Sequence, residues 1–317
     1  MNKEHPGWMT RFWAIVRYEM LWNIRKKMFL GALIFAFIFA TITLALPSTF
    51  GVAQNPYFAV TFTAGNVMFL LFAIVTSMYS LSGEYEKGTV VPLLTKPVTR
   101  TMVFLGKLFA IFIVILATYS VLYIYTIVGG IIVYGPQDSL YLAPFNLLGD
   151  LIGTFIWVSV VLAAGALSKN SLLSILTAFG LFVALIIGGG LVGTLSDNPA
   201  PLNYIPGGGA SGTLDVRTGQ NITISNITVN TLASTSTGTN GIGGNIIKSI
   251  LYPNANVSFY YTDLQSLLNS SGVASPRYLY TESIELITLR AVGVAFLYIA
   301  VLSTIAWFAF KRWQINE

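Results

Sequence analysis

Four sets of residues have the type and spacing for a functional role. Glu84 and Glu86 stand one residue apart, ahead of a stretch bracketed by Gly88 and Pro97 and followed by Arg100 and Lys107. Their chemistry is ion pairing and docking, not bond breaking. Asn66, Ala73, Ser77, Ser80 and Glu84 recur at steps of seven, four, three and four, a narrow stripe of small and polar groups on one helix face. Asp150 is a lone carboxylate inside an apolar run, by default a functional candidate, although Pro144 is only six residues away, about 9 Å along a helix. A reach to interfacial water is the plainer expectation. Asn221, Asn226, Asn256 and Asn269 each open an Asn-x-Ser/Thr acceptor triplet for N-glycosylation, a pattern that any Asn- and Ser/Thr-rich loop also produces by chance.

Catalysis has no such footing. Cysteine is absent and His5 is the single histidine, which removes thiolate chemistry and cysteine-ligated metals and leaves poor material for zinc or haem. The glycine runs 188–190 and 207–209 lack the lysine of a phosphate-cradling loop. No nucleophile, base and orienting group share a segment, so no enzyme is expected.

The elements that must position these residues are membrane helices. Of 317 residues, 55% are hydrophobic and 9% charged, against about 25% charged in a soluble domain. Crossing about 30 Å of hydrocarbon needs roughly twenty apolar residues, and six segments qualify: 28–46, 58–81, 108–134, 144–167, 171–193 and 291–310. The reading is an all-α integral membrane protein of six transmembrane helices. Its parts are a cytoplasmic elbow (1–27), spans one to five (28–193) with a connector at 82–101, an external domain (194–284), and a sixth span with a cytoplasmic tail (285–317).

Net charge is +5, but the basic residues flank apolar runs and read as topology signals and not as a nucleic-acid surface. With both termini cytoplasmic, thirteen of seventeen Lys and Arg residues fall inside. In the elbow, Phe12, Val16, Met20 and Ile24 repeat at fourfold spacing beside Trp13. That suits a helix on the inner membrane face, or equally a basic flank of the first span. The 194–284 insert shows strand-like alternation near 221–229 and helix-like groups near 246–251 and 264–268, a small mixed domain on the outside. Glu282, Glu285 and Arg290 are expected at the outer surface, paired locally, with short helices there as an alternative.

In the connector, Gly88 breaks the second span and 89–94 offers a short apolar turn stopped by Pro97. Thr99 is placed to cap a helix that begins near Arg100 and enters the third span, with Lys107 snorkelling. A short stiff element of this kind passes a push to two membrane helices at once.

The ordered residues Glu86, Gly88, Thr89, Leu93, Leu94, Pro97, Thr99, Arg100, Gly106 and Lys107 resemble the permease subunits of type-2 export-class ATP-binding-cassette (ABC) transporters. Val90 stands where leucine is usual and Pro92 interrupts the turn. The resemblance implies that the connector, Glu84 and Glu86 through Lys87 to Arg100, docks on a separate ATPase. ATP and Mg²⁺ would sit on that partner, with no cofactor on this chain. It also implies pairing with a second permease copy or a related permease, and a substrate route between the second and fifth spans, where Asn66, Ala73, Ser77 and Ser80 would lie. Packing of small residues between helices competes for that stripe.

The expected function is therefore an ATP-driven permease of the cell membrane, most simply an exporter. The alternative is a non-transporting relative that drives an external domain or an envelope partner. An ion-coupled carrier is disfavoured because the spans show almost no ionisable groups or helix breaks at mid-membrane.

Overall fold

The computed structural model describes residues 7–49, 56–86, 98–195, 200–209, 211–214, 221–224, 227–230, 234–239, 241–262 and 276–312. The helices are α1 (Trp8–Ile24), α2 (Lys27–Thr49), α3 (Phe58–Thr61), α4 (Gly65–Ser77), α5 (Ser82–Glu86), α6 (Arg100–Tyr134), α7 (Ala143–Ser168), α8 (Ser171–Leu195), α9 (Ile242–Leu251) and α10 (Ile284–Arg312). Among the described residues six helical stretches are long and apolar enough to cross a membrane: Lys27–Leu46, Gly65–Glu86, Arg100–Tyr134, Leu140–Ser168, Ser171–Val192 and Ile284–Arg312.

Local chemistry sets their ends. Thr99 accepts from the Met102 amide at 3.2 Å and starts α6. Gly135, at φ 83°, stops it after 35 residues, about 52 Å of helix against about 30 Å of hydrocarbon. The surplus carries α6 well past the membrane. Lys169 turns the chain in left-handed conformation between α7 and α8, and Asn170 caps α8 by accepting from Leu173 N at 2.9 Å. The first span does not end at Leu46, since α2 runs on to Thr49.

α7 is the axis. It packs against α4, α8, α9 and α10, while α1 and α2 lean on α6. Trp157 is buried on α7 with its ring edge on Phe182 of α8, and Phe72 of α4 meets Tyr119 of α6 edge-on at 5.5 Å. Gly153 makes room for the Phe69 ring, 2.6 Å from where a Cβ would stand. By contrast the α8 and α10 spans are little buried, as lipid- or partner-facing helices are.

The second span is not one helix over 58–81. α3 ends at Thr61, the chain unwinds through Phe62, Thr63 and Ala64, and Gly65 at φ 76° starts α4. Asn146 of α7 donates to the Val60 carbonyl at 3.1 Å and also to Phe62 O, and Tyr123 donates to Phe62 O at 3.1 Å. Asp150 accepts from Thr63 Oγ1 at 2.9 Å, Ala64 N at 2.8 Å and Tyr123 at 2.8 Å. This corrects two expectations: a helix break is present, and Asp150 is buried within protein instead of reaching water. The carboxylate takes donors that the break would otherwise orphan.

In the insert, strands β1 (Ser211–Leu214), β4 (Ser234–Ser236), β5 (Asn256–Thr262) and β6 (Pro276–Ser283) form an antiparallel sheet of order β4-β1-β5-β6, and β2 (Asn221–Ile224) pairs with β3 (Ile227–Asn230) as a hairpin. The stretch 264–268 lies outside the described residues. Leu214, Val257 and Phe259 bury against Ile284 and Ile287 of α10. α9 packs into the helices themselves: Ile242 joins Ile156, Ala291 and Ala295. A Cβ on Gly149 would stand 2.2 Å from Gly243 N, so two glycines let the backbones touch. Among the described residues β6 runs directly into the last span with no separate short helix between them; α10 is continuous from Ile284, and Arg290 holds Glu282 through two bonds of 2.7 and 2.9 Å.

Candidate functional site: a polar hub at the basic end of the bundle

α1, α5, the start of α6, the start of α8 and the end of α10 meet at one end of the bundle. Lys107 lies two turns into α6, and Gly106 beside it has Ile15 of α1 against it, 2.9 Å from a would-be Cβ. Two helices that close leave Lys107 no route to water. It does not snorkel. Its side chain is 3% exposed and its ammonium sits 2.5 Å from Glu19 and 2.7 Å from Glu84. One cation thus joins α1, α5 and α6. Nearby, Lys26 donates to Asn23 at 2.6 Å and lies 3.7 Å from the Trp22 ring centre.

Glu86 points the other way. Its carboxylate accepts from Ser171 N at 2.7 Å and from Ser171 Oγ at 2.9 and 2.7 Å. A carboxylate on the first amide of a helix satisfies an orphan donor and meets the positive end of the helix dipole. The end of the second span is thereby tied to the start of the fifth.

Past the connector, Arg100 donates to the Lys311 carbonyl at 2.8 Å, at the C-terminal end of α10, and Trp307 Nε1 donates to Thr101 at 3.2 Å. Both flanks of the connector are anchored, one on α1, α6 and α8, the other on α10. Of the residues singled out in the sequence, Glu84, Glu86, Thr99 and Arg100 come together here. Lys87, Gly88, Thr89, Leu93, Leu94 and Pro97 lie outside the described residues.

The elbow repeat overlaps the buried face only in part, with Phe12 and Met20 half-buried on either side of Val16. Val16, Glu19 and Asn23 are buried while Ile24 is exposed. α1 lies against α6 with polar groups inward: Glu19 meets Lys107, and the Asn23 oxygen takes Lys26. Glu19 and Ser171 were not legible as partners; the one signal was a single acid, Glu19, in an otherwise basic helix.

Along the second span, Ala73, Ser77 and Ser80 are buried inside the protomer, with Ser77 Oγ bonded back to Ala73 O. Asn66, at the far end, donates to the Gly207 carbonyl at 2.9 Å. Asn221 opens β2 and Asn256 opens β5, the latter exposed; Asn226 and Asn269 lie outside the described residues.

A search among curated proteins finds no match. Residues 13–314 match the family described as ABC-2 family transporter protein. Subunits of this kind lack ATPase activity and work with an ATPase subunit. With six apolar helices of membrane-crossing length and a family match over nearly the whole chain, this is a multi-pass membrane protein that belongs to the ABC-2 transporter family as a permease subunit.

Proposed function

We propose that this permease exports its cargo, and that the connector 82–101 receives the stroke of the partner ATPase and hands it to the spans through the hub. The observation that carries this reading is the double tether: Glu84 and Glu86 hold α6, α1 and α8 on one flank, and Arg100 holds α10 on the other. A push on the connector then moves four spans as one body. The basic end is cytoplasmic, in line with the excess of Lys and Arg there, and ATP with Mg²⁺ resides on the partner. Two permease copies and two ATPases form the working unit. The cargo route runs between the second and fifth spans; with Ala73, Ser77 and Ser80 buried, it opens only as those helices separate. Weakly charged spans favour a lipid-like, amphipathic or peptide cargo.

A second reading has one supporting observation. α9 is wedged onto the fourth and sixth spans, so the same stroke would reach the external segments, as in a subunit that works on an outer partner. Glu86→Gln separates the cases. It weakens the Ser171 tether without removing the side chain, so cargo export from the ATPase complex should fall about tenfold or more while the complex still assembles. Unchanged export would refute the tether as the transmitting element; no export from the wild type, with ATP-dependent motion of α9, would favour the second reading.

A further inference from the structure

At the basic end, a groove of about 390 Å³ opens on the outside of the bundle, lined by Trp8 and Phe12 of α1, Leu105, Phe109 and Phe112 of α6, and Phe155 of α7. Its walls are almost wholly apolar. A ladder of rings runs along it, with centroids 6.0 Å apart from Phe12 to Phe109, 6.3 Å from Phe109 to Phe112 and 5.6 Å from Phe112 to Phe155. Trp8, Leu105 and Phe109 are 57%, 45% and 39% exposed, a cost in water that hydrocarbon removes.

The depth of this ladder identifies what fills it. Leu105 is five residues from the start of α6, at the level of the hub. Phe155 is thirteen residues from the end of α7 at Ser168, about 20 Å along the helix, which is near the middle of a hydrocarbon layer of about 30 Å. The groove therefore runs from headgroup level to roughly the mid-plane, the extent of one leaflet's acyl chain. Charge adds the headgroup. Among the described residues, α1 carries Arg11 and Arg17 with Arg25, Lys26 and Lys27 following, and its one acid, Glu19, is buried on Lys107. Arg11 is next to Phe12 and one turn from Trp8.

We propose that this groove is a binding site for an anionic diacyl lipid of the membrane leaflet at the basic end, one chain lying on the aromatic ladder and the headgroup against α1. The lipid wedges α1 onto α6 beside Gly106, next to the hub. The site is independent of the export reading, since occupancy is measured without transport.

The test is native mass spectrometry of the purified full-length chain in detergent with equimolar phosphatidylglycerol and phosphatidylcholine. The wild type should retain phosphatidylglycerol over phosphatidylcholine by about fivefold, the worth of one basic residue near a membrane surface. Leu105→Trp, which fills the groove, should lose this adduct; Arg11→Gln should keep lipid but lose the preference; Ile34→Trp, on the exposed face of α2, should behave as wild type. As a check that does not depend on folding of a variant, phosphatidylglycerol with brominated chains at low mole fraction should quench the fluorescence that Trp8→Phe removes, beyond its share of the lipid. Equal retention of the two lipids, or an undiminished adduct in Leu105→Trp, would overturn the proposal. So would a dimer that shields Trp8 from brominated chains, which would assign the groove to a second copy.

Discussion

Lys107 is the residue on which the hub turns. Two carboxylates share its single charge, Glu19 buried with it and Glu84 largely so, and removal of one partner of a buried ion pair costs about 3–5 kcal/mol because the other charge is left without compensation. Lys107→Met should therefore lower thermal stability by about that amount, read as a large fall in the detergent melting temperature. Combining it with Glu19→Gln and Glu84→Gln should restore most of the stability, since apolar or neutral replacement of a whole buried set is often tolerated. If the ionic tie also carries motion, the triple variant should still fail to transport. The sequence marked Lys107 as a cation near the start of a span, and snorkelling is the usual fate of such a residue. What overrode it is the approach of α1 at Gly106, a tertiary contact that no local pattern encodes.

Among the elements, α9 illustrates how a glycine decides packing. The helix was visible in the sequence as apolar groups near 246–251, but its place between the fourth and sixth spans was not, because the enabling residues are glycines on two different elements. A Cβ at Gly149 would meet backbone atoms of Gly243 at 2.2 and 2.4 Å, which no rotamer change relieves. Gly149→Ala should cost at least the about 1–3 kcal/mol typical of overpacking and release α9, measurable as faster proteolysis of 242–251. Gly190→Ala on α8, where an added Cβ would meet no atom within 4 Å, should be neutral or stabilising by up to about 1 kcal/mol, since alanine is the better helix former. The break between α3 and α4 teaches a related lesson. Hydropathy alone reads 58–81 as continuous, and only Asp150, Asn146 and Tyr123, gathered from other helices, make an unwound turn affordable there.

For the molecule as a whole, span number and the order of elements were legible because lipid imposes length and apolarity on every crossing. The Thr99 cap and the long helix from Arg100 were equally readable, as both are local. The tethers from Glu86 to Ser171 and from Arg100 to the Lys311 carbonyl join residues 85 and 211 positions apart, a separation at which sequence spacing carries no geometric information. Together they turn the connector into a handle on the bundle. The absence of cysteine from the chain allows that handle to be tested directly, by placing one cysteine at Leu94 and measuring disulfide or short-linker crosslinks to the co-expressed ATPase subunit with and without ATP. The account predicts a crosslink to the ATPase whose yield changes with nucleotide. Absence of any such crosslink, together with labelling of the same cysteine by a membrane-impermeant reagent added from outside the cell, would contradict it.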